Sequence, residues 1–147
     1  GLFRAVLDRY ISRFAARHEA LLFAEEKSVD QALRDYFTAI ATCFTSKDTP
    51  AGCFMINTSA ALAASSTAIA NTIKSRHAMQ EQTLTQFLQQ RQLRGELPEN
   101  GDVRQLAQFL NCVLQGMSIS AREGADFTRL MQIADTTLRL WPQILQH

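Results

Sequence analysis

Apolar side chains recur at three- and four-residue intervals from one end of this chain to the other, and no two-residue alternation persists over five residues. A strand with one buried face needs that alternation, so sheet is excluded as the organising element. The fold class expected is all-α. Glycine and proline are scarce, six and three in 147 residues, and they fall mainly between the periodic segments, which divides the chain into six expected helices.

The first runs from Leu2 to His18 on Leu2, Phe3, Val6, Leu7, Tyr10, Ile11 and Phe14. Ser28 opens the second, with Gln31 at the capping-box position and Leu33, Tyr36, Phe37, Ile40 and Phe44 as its stripe. Lys47 to Gly52 reads as a loop, followed by a short third helix from Cys53 to Ala63. A long fourth helix, Ser66 to Arg94, would exceed about 40 Å at ~1.5 Å per residue. Its stripe is Ile69, Ile73, His77, Gln80, Leu84, Phe87 and Arg91. Gly95 to Gly101, with Pro98, breaks it. Asp102, three residues before Gln105, caps a fifth helix that reaches Arg122. Gly124 ends that helix, and Asp126 starts the sixth, which extends to Ile144.

The last two helices carry more apolar surface than one core needs. The fifth is apolar over a wide arc from Leu106 to Met117, and the sixth adds Leu130, Met131, Ile133, Ala134, Leu138, Leu140 and Trp141. Surplus of this kind marks an interaction surface. Two such helices from each of two copies would close a four-helix bundle. Gly116 lies mid-helix, where it costs about 1 kcal/mol relative to alanine; close approach of another helix would offset that cost.

Charge argues against direct contact with nucleic acid. Fifteen basic and fourteen acidic residues leave a net charge of +1, with no basic footprint for a phosphate backbone. No apolar run is long enough to span a membrane, and Arg4, Asp8 and Arg9 interrupt any leader-like start. The three cysteines, Cys43, Cys53 and Cys112, form no C-x-x-C pair and read as free thiols in a reducing cytoplasm. Cys and His are not clustered, so no metal site is expected, and no cofactor or catalytic constellation is suggested. The chain opens at Gly1 already in helical register, as an internal segment of a longer protein would.

Three stretches carry a family resemblance. One joins Asp102-Val103-Arg104-Gln105-Leu106-Ala107 to Val113-Leu114-Gln115-Gly116-Met117-Ser118-Ile119-Ser120-Ala121-Arg122-Glu123-Gly124-Ala125. The second is Pro50-Ala51-Gly52-Cys53-Phe54-Met55-Ile56-Asn57. The third is Gly1-Leu2-Phe3-Arg4-Ala5-Val6-Leu7-Asp8-Arg9-Tyr10. The third resembles the helix that directly follows the helix-turn-helix domain of TetR-family transcriptional regulators, and the other two resemble the C-terminal region of that family, all in the family's order along the chain. The resemblance implies that residues 1–147 form a six-helix effector-binding and dimerisation domain. It implies a homodimer through a two-helix face, a small-molecule effector among the middle helices, and operator DNA contacted only by an N-terminal helix-turn-helix domain absent from this sequence.

The candidate effector pocket lies among helices one, two, four and five. Its expected lining is Tyr10, Phe14, Tyr36, Phe37, Phe44, Phe54, Phe87 and Phe109, with Asn57, His77 and Gln80 as polar groups. Such a pocket suits a moderately hydrophobic compound. His77 and Gln80 stand out because each falls on an apolar stripe, where an unpaired polar group costs about 1–3 kcal/mol. Ordinary core packing is the competing reading for the aromatics, and inter-helix hydrogen bonding for His77 and Gln80. The expected dimer interface is Leu110, Val113, Leu114, Gly116, Met117, Leu130, Ala134 and Leu138, with Trp141 near it. His18 and His147 are expected in solvent. Two further readings stay open: a thiol sensor using Cys53, placed at a helix N-terminus that would lower its pKa, and a small helical enzyme using His77 as acid or base.

Overall fold

The computed structural model describes residues 2–46 and 67–145. Among them it has five helices and no strand: α1 (Leu2–Leu22), α2 (Val29–Thr45), α3 (Thr67–Leu93), α4 (Val103–Arg122) and α5 (Phe127–Ile144). The expected short helix from Cys53 to Ala63 lies outside the described residues.

Helix starts follow local chemistry. Ser28 Oγ accepts the backbone N–H of Gln31 at 3.1 Å, Asp102 that of Gln105 at 3.0 Å, and Asp126 that of Arg129 at 2.9 Å. Each cap satisfies a donor that the first helical turn leaves open. The side chain of Gln31 does not reach back to complete a capping box; its Nε2 donates to Asp35 at 2.8 Å. Gly95 and Gly124 adopt φ of 82° and 103°, the left-handed region in which a Cβ is strained, and there the chain leaves α3 and α4.

α2 is the central helix, packed on α1, α4 and α5, while α3 packs on α4 and α1. Its Val29, Leu33, Tyr36, Phe37 and Ile40 are buried against Leu84, Phe87 and Leu88 of α3, Leu106, Leu110, Leu114 and Met117 of α4, and Leu130, Ala134 and Leu138 of α5, all in one core. Each fully buried aliphatic or Phe side chain contributes about 1.5–3 kcal/mol. Trp141 joins this core, and its Nε1 donates to Asp30 Oδ1 at 3.2 Å.

This core corrects several expectations. Leu110, Leu114, Met117, Leu130, Ala134, Leu138 and Trp141 were expected at the dimer interface, yet their own chain buries them. The apolar arc of α4 is wide enough to serve the protomer core first, and only its far side is left over. α1 runs one turn beyond His18 because Leu22 continues its stripe into the core, and His18 is itself buried at 4% exposure. Arg91 sits on the α3 stripe without facing solvent. Its guanidinium is 2% exposed, lies 5.3 Å from the Phe87 ring centroid, and donates to Ala24 O at 3.0 Å, to Lys27 O, and to Glu96 at 3.0 Å. It thereby fixes the α1–α2 turn and the α3–α4 loop to the end of α3.

Candidate functional site

A cavity of about 90 Å³ opens where α1, α2, α3 and α4 meet. Ala15, His18 and Glu19 come from α1, Tyr36, Ile40 and Phe44 from α2, Arg76, His77, Met79 and Gln80 from α3, and Leu114, Gln115 and Ser118 from α4. The helical period places them together. Residues 73, 77, 80 and 84 follow three- and four-residue steps along α3, and residues 36, 40 and 44 follow four-residue steps along α2.

The polar groups are differently held. Gln80 Nε2 donates to Tyr36 Oη at 3.3 Å, and burial pushes the Tyr36 phenol far above its usual range. Glu19 Oε1 accepts from Thr83 Oγ1 at 3.3 Å. Burial, and then the charge of Arg17, hold His18 down at about 4, so its imidazole is neutral at pH 7. His18 Nε2 lies 3.6 Å from Cys43 Sγ, and burial raises that thiol, which favours its protonated form. Burial also lowers His77. Its ring lines the cavity and makes no hydrogen bond among the described residues, although its backbone carbonyl accepts from Asn111 Nδ2 at 3.2 Å.

Of the pocket residues expected from sequence, Tyr36, Phe44, His77 and Gln80 do converge on the cavity. Phe37 and Phe87 do not; both are fully buried elsewhere in the core, Phe87 edge-on to Phe23 at 6.2 Å and under Arg91. Phe109 faces outward, 37% exposed, because it lies on the side of α4 opposite Leu114. The side chains of Tyr10 and Phe14, like Phe54, Asn57, Cys53 and His147, fall outside the described residues. Sequence reasoning missed His18, Glu19, Arg76, Gln115 and Ser118. His18 had a visible signal, since it falls four residues from both Phe14 and Leu22 on the stripe of α1.

A second feature is the outer face of α4 and α5. Phe109, Cys112, Gly116 and Ile119 step along α4 by threes and fours and are all exposed, Ile119 at 53%. On α5, Leu140 is 48% exposed and Ile133 is partly covered. Val113 is half-buried at the margin. A Cβ added at Gly116 would meet nothing within 4 Å, so no packing within the protomer requires a glycine there. Among the described residues no helix is long and apolar enough to cross a membrane.

Comparison with known proteins agrees with this architecture. Residues 30–136 match the family described as Tetracyclin repressor-like, C-terminal domain. The chain is 72% identical over 146 residues to the HTH-type transcriptional repressor ComR of Escherichia coli (strain K12), covering 99% of this chain and 70% of ComR. The fold matches a cysteine mutant of the TetR family transcriptional regulator CifR, complexed with 26-base-pair operator DNA. That match has a TM-score of 0.84 at 24% identity and covers 97% of this chain and 73% of that one. A second CifR cysteine mutant, also with operator DNA, matches at TM-score 0.83 and 24% identity, covering 97% and 74%. The all-helical class, the cavity between the middle helices and these likenesses converge, and the chain belongs to the TetR family of transcriptional regulators, as a regulator and not an enzyme.

Proposed function

We propose that residues 1–147 form the effector-binding and dimerising part of a cytoplasmic transcriptional repressor. In this reading a small molecule occupies the cavity between α1, α2, α3 and α4. Two copies associate through the outer faces of α4 and α5 as an intermolecular four-helix bundle. Operator DNA is contacted by helix-turn-helix residues outside this sequence, and effector binding releases it. The observation that carries the reading is the placement of two unfilled features on opposite sides of α4: a cavity with converging polar groups, and an apolar strip centred on a glycine that the protomer does not need.

The partner surface is accordingly Phe109, Cys112, Gly116 and Ile119 with Ile133 and Leu140, in place of the core residues expected from sequence. The effector contacts are Tyr36, Phe44, His77 and Gln80, joined by His18, Arg76 and Ser118.

Filling the cavity tests the effector site. Ser118→Trp should abolish thermal stabilisation by compounds that stabilise the wild-type chain, while leaving dimerisation intact. Equal stabilisation of both forms would place binding elsewhere. Light scattering that found a monomer at micromolar concentration would defeat the dimer assignment.

A further inference from the structure

We infer that the effector is a compact, uncharged molecule, one ring or its equivalent in size, with a single oxygen that accepts a hydrogen bond from the Tyr36 hydroxyl and lies against His77. The inference rests on the cavity being the effector site.

Size sets the first bound. Drug-sized ligands occupy pockets of about 300 Å³ or more, and a dry cavity near 150 Å³ holds benzene. At about 90 Å³ this cavity is smaller than either, which limits its occupant to a compact molecule no larger than one small ring. Ile40, Phe44 and Leu114 give it an apolar wall, which suits the body of a ring or a short branched chain.

Polar chemistry sets the second. Tyr36 is 2% exposed and lines the cavity. Its oxygen accepts from Gln80, and no described residue receives the hydroxyl's own hydrogen. A buried donor left unspent favours a ligand that accepts from it. One turn along α3 from Gln80, the His77 ring offers a further polar group with no bond among the described residues. A ligand oxygen near both would satisfy them together, and a hydroxyl could also donate to the neutral imidazole.

Charge sets the third. Glu19 and Arg76 both line the cavity, so its wall carries one charge of each sign. Burial holds both histidines below their usual range. A carboxylate or an ammonium ion would therefore lose its hydration on entry without a net opposing charge to compensate it.

Four single-ring probes separate the possibilities: phenol, toluene, benzoate and benzylamine, titrated calorimetrically against the full chain at pH 7.5. Phenol should bind about three- to tenfold more tightly than toluene, the worth of one neutral hydrogen bond, and at least tenfold more tightly than either ion. Tyr36→Phe keeps the ring that the core needs. It should preserve toluene binding and erase the margin of phenol over toluene. Toluene equal to phenol in the wild type, a tighter benzoate or benzylamine, or an unchanged margin in Tyr36→Phe would overturn the inference while leaving the cavity as effector site. Failure of all four probes to bind would overturn both.

Discussion

Replacing Phe109 with alanine distinguishes the outer face of α4 from the core beside it. The ring is 37% exposed in the protomer. Of the roughly 200 Å² that a phenylalanine can bury, about 75 Å² is therefore left for a partner to cover. At ~25 cal/mol per Å² that is nearly 2 kcal/mol per copy. Two-fold symmetry presents the residue twice, so full coverage is worth nearly 4 kcal/mol, or several hundredfold in the dimer dissociation constant. Sedimentation equilibrium from nanomolar to micromolar concentration reads that constant, and circular dichroism confirms that the variant remains helical. Leu114→Ala, only five residues away, is the contrast. Leu114 is 2% exposed, and its truncation should cost about 2–5 kcal/mol of protomer stability with little direct effect on association. A folded Phe109→Ala variant whose dissociation constant stays within threefold of wild type would refute the assignment of this face.

Three other consequences can be measured directly. Arg91→Met deprives the Ala24 and Lys27 carbonyls and the Glu96 carboxylate of their shared partner; it should cost about 3 kcal/mol and lower Tm by about 6–12 °C, and a loss under about 1 kcal/mol would show that the guanidinium is dispensable. His18 is held at about 4, below the usual 6.5, so the unfolded chain takes up its proton first as pH falls; stability is full above about pH 6.5 and declines by roughly 3 kcal/mol on descent to pH 4. Urea titrations of His18→Gln across that window should show a flatter decline, and an unaltered slope would count against burial as the cause. Iodoacetamide should alkylate exposed Cys112 well before Cys43, whose thiol burial keeps protonated, and labelling of Cys112 should slow as the protein is concentrated into dimers. Concentration-independent labelling would mean that Cys112 lies off the interface.

Much of the fold was legible because its signals are local. Ser28, Asp102 and Asp126 cap helices wherever a short oxygen side chain meets the first open N–H groups, so the starts of α2, α4 and α5 agree with the sequence reading. Periodicity told that α4 has a wide apolar arc, but not which side of the arc meets its own chain. That depends on how α2 is positioned, which is a property of packing between segments distant in sequence. The sequence reading therefore assigned Leu110 and Leu114 to a partner, and Phe109 to the cavity alongside Tyr36. His18 was misjudged for a related reason. Arg91 was read on its apolar stripe and His18 was not, and only the tertiary structure supplies the carbonyls that satisfy the one and the thiol beside the other.

The cavity and the outer face are not independent, because α4 carries both. With about 100° between successive residues, Leu114, Gln115 and Ser118 point into the cavity, while Phe109, Cys112, Gly116 and Ile119 point to the opposite side. A helix is about 10 Å across and, once packed, moves as a unit. An occupant that displaces the cavity side of α4 by an ångström therefore displaces the outer strip by a similar amount. Asn111 adds a tie between helices: it is buried, and its amide holds the His77 carbonyl of α3 at 3.2 Å, so α3 and α4 respond together. An interface built around a glycine is sensitive to such a shift, since Gly116 offers no side chain to take up a change in helix separation. If effector and partner communicate through this route, Asn111→Leu should leave dimerisation within threefold of wild type and phenol affinity little altered, yet remove the change in dimer dissociation constant that saturating phenol produces in the wild-type chain. Coupling that survives in Asn111→Leu would move the connection to the α1 side of the cavity, where His18 and Glu19 are the remaining polar contacts.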